Sequence, residues 1–262
     1  MRKKFRQWLR TFAVAFSMYS KIPMPQFVWE QEDMRYAMCF FPFVGAVVWA
    51  LLAGIWFLRA YVGLHDVTGA LLAAVVPLLV TGGFHVDGYM DTMDAFSSYG
   101  SREKKLEILK DSHIGAFAVI RLACYGMVYV ASVLEIRDIR AYLVFGGSFF
   151  LSRCLSGIAV VSFRPAKKDG LLHLFSDGSE KRRARVILIA EAVAAVLIML
   201  YISPMHAAVL CGVQLFGFWY YYHRSYREIG GINGDTAGWF VTVSEGASAA
   251  AMALTGICMV LL

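Results

Sequence analysis

Gly82-Gly83-Phe84-His85-Val86-Asp87-Gly88-Tyr89-Met90-Asp91-Thr92-Met93-Asp94-Ala95-Phe96 follows directly on an apolar run, and Lys110-Asp111-Ser112-His113-Ile114-Gly115 completes the polar stretch. If residues 85 to 96 are helical, Asp87, Asp91 and Asp94 fall at 0°, about 40° and about −20°, so three carboxylates share one narrow face. Like charges at that spacing repel and lower helix stability unless a cation joins them. A hard divalent ion such as Mg²⁺ prefers oxygen ligands and bridges one or two carboxylates to a substrate's phosphates. The two readings are therefore a metal and diphosphate site, or a solvated acidic face on a loop helix, and the surrounding chain favours the first.

Outward from this stretch the chain is apolar. With 59% hydrophobic and 17% charged residues and a mean hydropathy of +0.59, it is too apolar for a soluble globular domain. The expectation is an all-α polytopic membrane helix bundle forming one domain over residues 1–262. Seven segments are long enough, or nearly so, to cross a bilayer: 35–58, 66–82, 114–134, 141–162, 185–203, 206–222 and 237–262. The basic amino end, with Trp8, Phe12 and Phe16, reads as an interfacial anchor helix rather than a signal peptide, because the apolar stretch is short and has no small-residue cleavage pattern. The prolines of Lys21-Ile-Pro-Met-Pro25 stop it. Ser101 is placed to cap a short loop helix running through Lys110, whose Lys104, Lys105 and Lys110 read as solvated or lipid-facing. Five cysteines stand singly in apolar runs, with no zinc or disulfide spacing.

Charge sets the orientation. Residues 1–35, the loop after the second span, the 163–185 loop and the 223–236 loop carry 7, 4, 7 and 2 Lys and Arg, so twenty of the 25 lie on one face. By the positive-inside rule that face is cytoplasmic. The net charge of +6 thus describes topology and lipid contact, and no nucleic-acid motif accompanies it. All polar motifs fall on the same face, which favours a plasma-membrane enzyme with its active site facing the cytoplasm over a transporter with two polar mouths.

Four charged residues lie within spans, Arg121, Arg153, Glu191 and Glu245, each roughly 9 to 15 Å deep from that face. Intramembrane charges face a bundle interior or a watery cavity. Two structural ion pairs are one reading; a cavity whose arginines meet phosphate is the other. His85 and His113 are candidate proton acceptors or phosphate contacts, with satisfied loop histidines the plainer alternative. Glycines 230, 231, 234 and 238 allow close backbone approach, and Asn233 and Asp235 are placed to bind ribose, base or metal, or simply to build a turn. The aromatics Trp219 to Tyr222 read as an interface belt or as a subunit contact in a homo-oligomer.

The residues 82 to 95 and 110 to 117, with Leu151-Ser-Arg153, the Arg164 to Gly170 loop and Gly-Gly-Ile-Asn-Gly-Asp-Thr-Ala-Gly (230 to 238), resemble the signature of the cobalamin synthase family, the adenosylcobinamide-GDP ribazoletransferases. The likeness covers nearly the whole chain. It implies a Mg²⁺-dependent membrane transferase that joins adenosylcobinamide-GDP to α-ribazole, or its 5′-phosphate, and releases GMP in the last steps of cobalamin nucleotide-loop assembly. On that view Asp87, Asp91 and Asp94 hold the metal. Arg121 and Arg153 meet phosphate, with His113, Asn233, Asp235 and Glu245 as further substrate contacts, and the general base stays open between Asp94, His85 and Asp111. Rival readings are a prenyltransferase using Asp87 and Asp91, an alcohol phosphotransferase, and a transporter; the second motif of the first two is absent, as are charges continuing to the far face.

Overall fold

A computed structural model describes residues 2–111, 113–166 and 178–261. Ser112 and the Lys167 to Gly170 part of the basic loop lie outside the described residues. The helices are α1 (Arg2–Tyr19), α2 (Gln31–Met34), α3 (Ala37–Phe57, running on as a π turn over Leu58–Val62), α4 (Asp66–Thr81), α5 (Phe84–Ser97), α6 (Arg102–Ile108), α7 (Ala116–Glu135), α8 (Ile139–Ser162), α9 (Gly178–Ile202), α10 (Pro204–Ile229) and α11 (Gly234–Leu261).

Among the described residues, five helices are long and apolar enough to cross a membrane: Ala37–Val62, Ala116–Glu135, Ile139–Ser162, Glu180–Ile202 and Gly234–Cys258. Of the seven expected spans, the other two are α4 and α10. α10 has 26 residues, but buried His206 and Gln214 dilute its hydropathy. α4 passes only when joined to α5, from which it is bent by 96°. Gly82 and Gly83 make that bend, with φ of 71° and 82°, a conformation open to glycine and costly to other residues. The bend carries α5 across the end of the bundle rather than on through it.

α8 is the central helix. Its span is 89% buried, against 22% for α7 and 17% for α9. Small residues let neighbours close on it: a Cβ on Gly45 of α3 would stand 2.2 Å from the Phe149 carbonyl oxygen. Pro77 lacks the N–H that would bond the Ala73 carbonyl, and Tyr129 donates its hydroxyl there at 3.4 Å. α1 does more than lie at an interface: Thr11, Val14, Ala15 and Phe16 are buried, so Phe16 belongs to the core and not to the headgroup layer. Arg10 ties α1 to α2 through Asp33 at 2.7 and 2.9 Å.

Candidate functional site

α5 crosses the first turns of α11, and two glycines set how closely. A Cβ on Gly88 would meet the Asp235 carbonyl oxygen at 2.8 Å, and one on Gly238 the His85 carbonyl at 3.1 Å. Thr242 then donates to that His85 carbonyl at 3.1 Å. This contact brings Asp235 to the acidic face of α5. Burial, followed by the charges of Asp87, Asp235 and Asp94, pushes the Asp91 carboxyl up to about 6. No salt bridge among the described residues neutralises Asp87, Asp91 or Asp235, so the cluster carries its repulsion uncompensated.

These carboxylates fit a hard divalent cation by donor chemistry and charge. Among the described residues no group of three or more His, Cys, Asp or Glu is arranged so that it could hold a metal ion, so the fit lies in donor type and charge and not in a ready-made cage. Asp94 stands apart in its use. Its two carboxylate oxygens accept from the N–H groups of Gly115 at 2.7 Å and Ala118 at 2.9 Å, capping the N-terminus of α7.

A cavity of about 500 Å³ opens beside the cluster, walled by His85, Asp87, Lys110, Asn233 and Asp235, with Tyr19, Phe41 and Val160 on its apolar side. A second, of about 260 Å³, lies behind His85 and reaches Arg153 and Glu245. His85 lines both, is only 6% exposed, and has no hydrogen-bond partner on either ring nitrogen among the described residues. It is therefore not a satisfied loop histidine. Asn233 caps α11: it exchanges hydrogen bonds with Thr236 at 2.9 and 3.0 Å and donates its amide to Asp235 at 2.7 Å.

Other expected residues are not brought together. Asp111 and His113 are exposed and bond to each other at 2.6 Å, and neither lines either cavity. The His113 hydrogen bonds hold the Asp111 carboxyl below its usual range, and burial followed by the Arg153 charge holds His85 well below its own, so position and not proton affinity separates the two. Arg121 is exposed on α7 and lines neither cavity; among the described residues its side chain makes no salt bridge, and its carbonyl accepts from Tyr89 at 3.3 Å. Arg153 is wholly buried and paired with Glu245 at 2.6 Å, so the spans hold one ion pair of the two considered. Glu191 joins neither that pair nor a cavity wall. Lys110, expected to be solvated or lipid-facing, is exposed and also lies on the larger cavity, which its place beside Asp111-Ser112-His113 hinted at.

The family model described as cobalamin-5-phosphate synthase matches residues 11–253. The chain is 42% identical over 243 residues to the adenosylcobinamide-GDP ribazoletransferase of Lachnoclostridium phytofermentans, covering 91% of each chain. It is 32% identical to the protein of that name from Geotalea daltonii, over 90% of this chain and 94% of the other. The Listeria monocytogenes counterpart is 30% identical over 88% and 92%. No solved structure matches the chain.

Proposed function

Because the chain belongs to the cobalamin-5-phosphate synthase family, we propose that the acidic cluster of α5 and α11 is the seat of its adenosylcobinamide-GDP ribazoletransferase reaction. In that reaction a ribose hydroxyl of α-ribazole, or of its 5′-phosphate, attacks a phosphorus of the diphosphate. A new P–O bond forms to the ribose, the P–O bond to GMP breaks, and the hydroxyl proton leaves.

Asp87 and Asp91 would hold Mg²⁺ together with diphosphate oxygens, with Asp235 adding negative charge beside them. When bound, the ion neutralises the diphosphate and stabilises charge growing on departing GMP. Lys110, on the same cavity wall, meets phosphate in place of Arg121, which faces away, and Arg153, which is committed to Glu245. Of the three base candidates, His85 alone is on the cavity wall with unpartnered nitrogens. His85 therefore takes the hydroxyl proton, while Asp94 holds α7 in place.

The cavity of about 500 Å³ is of ordinary ligand size, roughly 300–1,000 Å³, and suits the nucleotide end of the substrate. The corrin, with its amide arms and adenosyl group, rests outside over the mouth against the membrane surface. Twenty of the 25 Lys and Arg fall in the sequence segments assigned to one face, which supports a site facing the cytoplasm in a plasma membrane.

The observation that carries this reading is a carboxylate cluster without a basic partner, at the lip of a cavity that also presents Lys110 and His85. Purified protein in liposomes, given adenosylcobinamide-GDP, tests it. GMP release that requires both α-ribazole and Mg²⁺ is the expected result; release unaffected by a chelator overturns the metal assignment.

A further inference from the structure

The smaller cavity behind His85 has chemistry the reaction scheme above does not use. It lies between α4, α5, α7, α8 and α11, walled by Pro77, Leu122, Gly126 and the rings of Tyr125 and Tyr129, with Arg153, Glu245 and His85 as its polar side. Arg153 is 0% exposed. Its Nη1 donates to Glu245 and to the Phe149 carbonyl, but Nε and Nη2 have no partner among the described residues. Buried donors left without an acceptor are costly, and more so on a charged group. They mark a place where an acceptor binds.

Charge and size narrow the acceptor's class. Glu245 already balances Arg153, so an anionic group would bring an unpaired charge into a low-dielectric site. A neutral acceptor brings none. The tyrosine hydroxyls are spent on the carbonyls of Thr242 and Ala73, leaving ring faces, which favour an aromatic guest. The volume of about 260 Å³ is below that of drug-sized pockets, roughly 300–1,000 Å³, yet exceeds the roughly 150 Å³ that takes a benzene ring. It accommodates a two-ring base but not a whole nucleotide.

We propose that this cavity receives the base of the riboside, an uncharged two-ring aromatic heterocycle whose free ring nitrogen accepts from Arg153. The assignment rests on the transferase reading above and adds to it the seat of the second substrate. Because His85 belongs to both cavities, a ribose attached to the seated base lies at the His85 wall. Its hydroxyl then faces the diphosphate side, beside the group that takes its proton.

Gly126 supplies the test. Gly126 lines the cavity and a Cβ there meets nothing within 4 Å, so Gly126→Leu adds bulk at the cavity wall without displacing packed atoms. In liposomes, Gly126→Leu should raise KM for α-ribazole by about tenfold or more while KM for adenosylcobinamide-GDP stays unchanged. Gly212→Leu on α10, also without a neighbour within 4 Å, should move neither. If Gly126→Leu fails to fold, Gly126→Ala with a fluorescence titration of α-ribazole reads the same weakening on a smaller scale. An unchanged riboside KM, an equal rise in both KM values, or loss of a co-purified phospholipid without a change in riboside KM overturns the proposal. Wild-type protein that releases no GMP would instead defeat the transferase reading, so the two failures are distinct.

Discussion

At the residue scale, Asp91 and Gly88 divide the work of the site. Asp91 lies half-buried among Asp87, Asp235 and Asp94, and its carboxyl is pushed up to about 6. Asp91→Asn keeps the shape and removes the charge, so GMP release should fall by about 10²- to 10³-fold, the usual loss when one preorganised electrostatic contact to a transition state is deleted. The Mg²⁺ concentration for half-maximal rate should rise with it. Gly88 has no chemistry, yet a methyl there would sit 2.8 Å from the Asp235 carbonyl oxygen. Gly88→Ala should cost about 1–3 kcal/mol of stability, the range for overpacking, seen as a lower thermal midpoint in detergent. Activity should fall too, because the helices that bring Asp235 to Asp91 are forced apart.

At the element scale, helix ends hold the site together. Asp94 caps α7 through Gly115 and Ala118, and Gly115 has no room for a side chain beside that carboxylate, its Cβ falling 2.6 Å from it. Asp94→Ala should destabilise by about 1–2 kcal/mol, while Asp94→Asn keeps one of the two acceptor contacts and should cost less; paired thermal melts separate the two. α1 is held by the Arg10–Asp33 pair at 2.7 Å. The Arg10 hydrogen bond holds the Asp33 carboxyl down from 3.8 to about 2. A depressed carboxylate pKa contributes stability that is present above the unfolded value and lost as pH falls through the folded one. The α1–α2 contact should therefore persist above about pH 4 and loosen toward pH 2, with earlier loss in Arg10→Met, as read by pepsin cleavage near residues 20–30.

At the scale of the whole molecule, the bundle has one end that bears the proposed site and one plain end. α5, α6 and the N-terminus of α11 gather at the first; Tyr61 and the α3–α4 turn lie at the second. In a cysteine-free background, Tyr99→Cys should be labelled by an impermeant thiol reagent only from the cytoplasmic side, and Tyr61→Cys only from outside. Both side chains are strongly exposed, so accessibility will report sidedness. The reverse pattern would turn the site away from the cytoplasm and overturn the orientation read from charge.

The sequence by itself determined the class of fold, the helical character of the acidic face, the one-sided distribution of charge and the family resemblance. Each is a local property: hydropathy over a span, a 3.6-residue period, a loop's count of Lys and Arg. Tertiary structure alone decided which polar residues share a cavity. Asp235 is 144 positions from Asp91, and only the Gly88–Gly238 crossing makes them neighbours. Asp111 and His113 sit beside the motif in sequence but turn outward to each other. Arg121 and Arg153, both within apolar helices, part company because one faces out from α7 while the other lies in α8, the most enclosed of the spans. Spacing along one helix fixes which residues share its face; what that face meets depends on how closely other helices approach, and here glycines at their crossings set that distance.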